Sequence, residues 1–285
     1  LLFLNLEYVR VFSLAVMAYC NRLKELLLDN TPITSLNDLN YFPLLTRLSI
    51  NNLKLDSLSP LGNQRNLKVL EMSGLPLNNL NEIKNITSLE VLDCSKTQID
   101  SLGFLKNLTN VTQLNISNTK AGDLSPLKNL LKLKILYANF TNVKALSVLE
   151  KIKSLEKIYC DNSRVTKDEA LAFMNNNPQC LVIYESENLT EWWNKLDEEW
   201  KKIFRKYGQI ETEPTKEQLA GLVNIESMDI SGNKNIQSVE PLRVMKKLTE
   251  LKLNNTSVKD LTPISNQKYL KVIELSNTPV TSLLS

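Results

Sequence analysis

Apolar residues recur along the chain at a fixed interval of 22. Leu1, Leu23, Leu45, Leu67, Leu89, Val111, Leu133 and Leu155 mark the period. Each unit is apolar at positions 1, 4 and 6, carries a small polar residue at position 9, and is apolar again at 11, 14, 17 and 20. The unit from Leu23 reads Leu23, Leu26, Leu28, Thr31, Ile33, Leu36, Leu39, Phe42. Positions 4 and 6 alternate, as on a strand with one buried face. The wider spacing that follows turns the chain back across a core. One unit of this size cannot bury its own apolar side chains, so neighbours must stack. The predicted architecture is an α/β solenoid, with a parallel sheet on one side and short helices or turns on the other.

The register decides how the N-terminal stretch FSLAVMAYC is read. An apolar run that stops at Cys20 has the outline of a lipoprotein signal. Yet Cys20 falls on position 20, the slot of Phe42, Ile86, Leu108, Leu130 and Ile152, and Tyr19 is too large for the residue before a processed cysteine. The stretch is therefore expected to be a buried repeat, with any targeting signal upstream of residue 1.

After Val165 the pattern changes. Thr166 to Glu169 reads as a capping box opening a helix over 167–174, and Cys180–Tyr184 as a strand. The stretch NLTEWWNKLDEEWKKIFRKYG has aromatic and aliphatic residues at helical spacing, which predicts one amphipathic helix from an N-cap at Thr190 to Gly208. It holds all three tryptophans and is expected to cover an exposed end of the core rather than to form a partner groove. A second capping box, Thr215 to Gln218, predicts another short helix. The period then resumes at Ile225, Leu248 and Leu270. The expected organisation is a first array over 1–185, a helical spacer over 186–208 and a second array over 209–285. Both ends cut the pattern, so the chain is expected to belong to a longer protein.

Proline at position 16 of LSPL (58–61), LSPL (124–127), VEPL (239–242) and LTPI (261–264) suits the first turn of a short helix. With these residues the pattern resembles the leucine-rich repeat family, in the 22-residue form of bacterial internalins and protein phosphatase regulators. The usual Asn of position 9 is mostly Thr here, as at Thr31, Thr97, Thr119, Thr141, Thr256 and Thr278. Its hydroxyl is expected to bond the backbone of neighbouring turns, with Leu53 and Leu75 breaking that ladder. The resemblance implies a horseshoe with a concave sheet, and recognition of a protein partner on that face. It implies a bacterial protein, exported or at the cell surface. A regulatory subunit of an intracellular enzyme, or the recognition arm of a larger enzyme or toxin, is the alternative.

Composition adds mainly exclusions. The formal net charge is +3, from 34 basic and 31 acidic residues, which gives no strong drive toward nucleic acid. No apolar run reaches the roughly 18 residues that span a bilayer. The chain has no His and four scattered cysteines, so no cofactor, metal site or catalytic centre is expected. Cys94 and Cys160 both fall on position 6, three turns and about 14 Å apart, too far for a disulfide. Gln64 and Gln267 fill position 20 and are expected to bond the backbone of a turn.

Positions 3, 5 and 7 point away from the core and form columns across the sheet. Val69 and Val91 adjoin Glu71 and Asp93, an apolar pair beside a carboxylate pair read as solvated and splayed apart. Further along, Ile135, Tyr137, Phe140 and Tyr159 gather beside Lys157. Exposed tyrosines next to a charge are the composition of binding hot spots. These nine residues are the candidate binding surface.

Overall fold

The computed structural model describes residues 1–281. They divide into two compact units, Leu1–Tyr184 and Glu185–Ser285. The first unit is built on nine parallel strands paired in chain order. These are β1 (Phe3–Asn5), β2 (Glu25–Leu27), β3 (Arg47–Ser49), β4 (Val69–Glu71), β5 (Val91–Asp93), β6 (Gln113–Asn115), β7 (Ile135–Tyr137), β8 (Lys157–Tyr159) and β9 (Leu181–Ile183). From β1 to β8 every residue pairs with the one 22 positions on, so equal positions of successive repeats lie side by side. Position 4 is the centre of each strand. Leu26, Leu48, Leu70, Leu92, Leu114, Leu136 and Ile158 are buried completely there.

Each strand ends at position 8 in a left-handed residue. Asn30, Asn52, Asn118 and Asn162 have φ between 54° and 61°, Gly74 has φ 75°, and Tyr8, Lys96 and Phe140 adopt the same conformation. Asn and Gly are the residues that tolerate this region best. At Gly74 a Cβ would lie 2.3 Å from the Asn52 Oδ1, so a larger residue there would have to displace that amide.

Return turns on the far side are short 3₁₀ segments, such as Asn37–Tyr41, Ser59–Asn63 and Ser125–Asn129. Position 13 starts them. The side chains of Ser13, Ser35, Ser57, Asn79, Ser101 and Asp123 each accept from the N–H two residues on. The repeat at Ala145 lacks such an oxygen. There Glu169, from α1 (Lys167–Asn176) of the next repeat, accepts from Leu146 N at 2.6 Å and Ser147 N at 3.2 Å. Asp38 and Glu82 do the same for Leu14 and Leu58 of the repeats before them.

Position 9 departs from the sequence expectation. The hydroxyls of Thr97, Thr119, Thr141, Thr256 and Thr278 donate to the position-6 carbonyl of their own turn. Neighbouring turns are tied instead by backbone, as in Gln98 N to Leu77 O and Lys120 N to Ile99 O. A threonine hydroxyl is too short to reach the next turn, and its own turn offers an acceptor. Leu53 and Leu75 therefore break nothing and are buried core residues. Gln64 and Gln267 donate their amides to Leu39 O and Leu242 O.

The second unit opens with α2 (Ser186–Lys195), α3 (Glu198–Gly208) and α4 (Lys216–Leu222). A three-stranded parallel sheet follows, in the order β10 (Ser227–Asp229), β11 (Glu250–Lys252), β12 (Val272–Glu274). Where the aromatic spacing predicts one helix, there are two. Leu196 turns extended, and the Asp197 carboxylate caps α3 by accepting from Trp200 N at 2.9 Å. Thr190 is no cap. It lies inside α2 and donates to Ser186 O. The periodicity survives because Leu196 keeps its place between the two apolar faces. α4 begins with both arms of its Thr215–Gln218 capping box formed.

The Ala145 gap yields a stability test. Glu169→Ala should lower unfolding free energy by about 1–2 kcal/mol, because it strips a charged acceptor from two turn N–H groups. Adding Ala145→Ser should recover part of that loss in urea titrations, since the local oxygen found in the other repeats is restored.

Candidate functional site

The face of the first unit's sheet opposite the core presents positions 3 and 5. Tyr137 and Tyr159 are directly paired across β7 and β8. Their rings stack with centroids 4.6 Å apart and planes 14° from parallel. Ile135 and Lys157 are paired beside them in the same two strands. All four side chains are half-buried, with one face of the group open to solvent. Among the described residues Lys157 makes no ion pair, which leaves a free cation at the rim of the stack. Phe140 lies on the loop after β7, 54% exposed and left-handed at φ 54°. The two strands therefore present a tyrosine stack, one aliphatic side chain and one positive charge side by side.

In the second group the carboxylates are splayed apart as expected, but partners hold them rather than solvent alone. Val69 and Val91 are paired, as are Glu71 and Asp93. The two carboxylates are not free in solvent. Glu71 pairs with Arg47 at 2.9 Å, on a strand to one side. Asp93 accepts from Asn115 Nδ2 at 3.0 Å on the other side and from Ser95 N at 2.9 Å. Each looks away from the other, which removes the repulsion of like charges on adjacent strands. Tied into separate networks, they do not form an acid–base pair or a cation cage.

Position 7 also departs from its expected place. It carries a polar ladder that is largely sequestered, with Ser95, Ser117 and Asp161 buried. Asp29 accepts from Ser49 Oγ, Asn51 N and Asn51 Nδ2, and Asn51 Oδ1 then accepts from Ser73 N. This column is part of the scaffold, and the accessible surface is set by positions 3 and 5.

The tryptophans belong to the interior of the second unit. Trp193, Trp200 and Phe204 are 2%, 2% and 0% exposed. Trp192 Nε1 donates to Pro241 O and Trp200 Nε1 to Ser238 O, so the indoles are fastened to the first repeat of that array. The Tyr207 hydroxyl accepts from Asp229 N at 2.6 Å and donates to Asp229 O at 3.1 Å. Tyr207, on α3, thus occupies the outer edge of β10 at Asp229.

All four cysteines are free thiols. Burial pushes Cys94 far above the ordinary thiol range, assisted by the neighbouring Asp93 charge, and pushes Cys180 up to about 12. Among the described residues no three His, Cys, Asp or Glu side chains gather as a metal site, and no helix is long and apolar enough to cross a membrane.

Comparison with known proteins agrees with this geometry. Residues 87–129 match the family model described as leucine-rich repeats in two copies. No curated protein matches the chain. Among solved structures it is similar to an internalin, InlF, of Listeria monocytogenes, with a TM-score of 0.57, 20% identity, and coverage of 99% of this chain and 68% of that one. It is similar to internalin C2 of the same organism, with a TM-score of 0.59, 24% identity, and coverage of 64% of this chain and 80% of that one. A leucine-rich repeat protein of Leptospira interrogans covers all of this chain at a TM-score of 0.55 and 18% identity, with 80% of its own length matched. The chain has the fold of a leucine-rich repeat solenoid, similar to that of the internalins. That scaffold is one typical of protein–protein interaction.

The thiols give a direct check on the core. With the chain folded, iodoacetamide at pH 8 should alkylate the half-buried Cys20. It should leave Cys94, Cys160 and Cys180 unmodified until denaturant is added, because only a thiolate reacts and burial withholds it. Peptide mass mapping before and after unfolding would show this.

Proposed function

We propose that the chain is a non-enzymatic scaffold that holds a protein partner on the outward face of β7 and β8. The observation that carries this reading is the parallel Tyr137–Tyr159 stack, kept half-open on a rigid sheet. Two rings already fixed by each other lose little side-chain freedom on binding, so their apolar area converts efficiently into affinity. Ile135 and Phe140 extend the apolar patch, and Lys157 supplies an unpaired charge that selects an acidic rim on the partner. Val69 and Val91, with Glu71 and Asp93 beside them, would form the outer part of the contact. The internalin-like fold supports a bacterial origin and a place outside the cytoplasm, secreted or at the cell surface.

The test is comparative capture. The intact chain and its Tyr137→Ala/Tyr159→Ala variant are immobilised side by side and exposed to envelope extract, cytosol and culture medium. A partner held by the first should bind the second more weakly by more than about 1 kcal/mol, with the melting temperature of the variant little changed. Equal affinity would reject this face.

Location has its own check. Fractionation of the producing cells should recover the protein from envelope or medium, and recovery from cytosol alone would count against the extracellular reading.

A further inference from the structure

Charge in the first unit is segregated in a way that the net charge of +3 conceals. Positions 18 to 22 of each repeat lead from the end of the return turn to the next strand and line one flank of the stack. Position 20 is turned inward. The other four positions, over the seven repeats from Leu1 to Ser154, carry eight basic residues and one acidic residue. Lys84, Lys106 and Lys128 stand side by side at position 18 of three successive repeats. Arg22, Arg65, Lys132, Lys151 and Lys153 are the others. All eight are exposed, and among the described residues none forms an ion pair.

The carboxylates nearest to them in the repeat are engaged elsewhere. Glu82 accepts from Leu58 N and Ser57 Oγ of the repeat before it. Glu90 and Glu156, at position 2, pair with Lys68 and Lys134 of their own column at 2.8 and 3.0 Å. Glu150, the one acid of the flank, accepts from Asn176 Nδ2 at 3.1 Å. Lys132 and Lys153 donate to the neutral amides of Asn110 and Asn177, which hold them without cancelling their charge. Large apolar side chains stand exposed among the cations. Leu44 is 45% exposed in the column of Arg22, and Leu131 is 61% exposed in the column of Lys153. Tyr19 and Tyr41, neighbours at position 19, are 96% and 43% exposed. Seven repeats at about 4.8 Å each make this flank roughly 30 Å long.

We propose that this flank docks on an anionic phospholipid surface. The cations meet headgroup phosphates, each adding to the attraction of a negatively charged leaflet. Leu44 and Leu131 enter the boundary between headgroups and acyl chains, and Tyr19 and Tyr41 sit at headgroup level, where an amphipathic ring is favoured. The composition selects this occupant over two others. The core of a protein interface is depleted in lysine, and six of these eight cations are lysine. A nucleic acid is held through its phosphates by charge and would gain nothing from two exposed leucines. Only an interface that is both charged and apolar uses every exposed side chain of the flank.

Co-sedimentation of the full chain with extruded vesicles tests this, using phosphatidylcholine alone and phosphatidylcholine mixed with phosphatidylglycerol. The chain should bind the mixed vesicles, leave them as salt is raised, and ignore the neutral ones. Lys84→Ala/Lys106→Ala/Lys128→Ala should weaken the partition about a hundredfold, near fivefold for each cation lost. Leu44→Ser/Leu131→Ser, which leaves the charge untouched, should weaken it about tenfold. These side chains are exposed, so circular dichroism melts of both variants should match the parent. Tyr137→Ala/Tyr159→Ala should bind vesicles as the parent does, which separates this flank from the protein-binding face. No binding to the mixed vesicles, equal binding to the neutral ones, or unchanged binding of either flank variant would overturn the proposal. So would double-stranded DNA held more tightly than the mixed vesicles at the same salt, which would make the flank a nucleic-acid surface.

Discussion

The structure depends on one backbone constraint: the left-handed residue that ends every repeat strand. At position 8 the chain leaves the sheet by a positive φ, and it does so at Tyr8, Asn30, Asn52, Gly74, Lys96, Asn118, Phe140 and Asn162. If one repeat took a different exit, its later positions would leave the common core, and the 22-residue pairing would lose its register. The constraint also explains composition. Asn stands at four of these eight places because its short amide tolerates the conformation, and it can link repeats, as Asn52 Nδ2 does to Asn30 Oδ1 at 3.0 Å. The two aromatic exceptions, Tyr8 and Phe140, are held in a backbone that a bulky side chain seldom adopts. Both are among the most solvent-exposed rings of the first unit.

Much of this was legible in the residues themselves. The period places the parallel strands and core columns because stacking identical units leaves one way to bury Leu26, Leu48 and Leu70. The capping residues Thr166 and Thr215 mark true helix starts for the same local reason in sequence and structure. The failures share a cause. The break at Leu196–Asp197 leaves the apolar periodicity intact, so a periodic signal cannot see it. The intra-turn bonds of Thr97 and Thr119, and the separate partners of Glu71 and Asp93, depend on side-chain reach across repeats. Column membership gives neighbours but not which neighbour a flexible carboxylate chooses. The tyrosine stack was visible as two aromatics 22 residues apart.

Capping of the return turns shows how a repeat protein tolerates local defects. Six repeats of the first unit supply their own position-13 oxygen, and the one at Ala145 does not. The missing acceptor is supplied from the next repeat by Glu169, a residue that a local window would assign only to the first turn of α1. Stability in such a scaffold is therefore partly a property of adjacent pairs of repeats, as a nearest-neighbour description requires. Substitutions at a turn are best judged together with the side chain one repeat further along.

The Tyr207 hydroxyl, bonded to both N–H and C=O of Asp229, has a consequence for assembly. In a parallel sheet, alternate residues of an edge strand offer their backbone pair outward, and such a row is a template for another chain. Tyr207 occupies one such pair on β10. The edge of the second unit's sheet is thus interrupted at Asp229, where a single phenol acts as a surrogate peptide group and hinders another strand from pairing there.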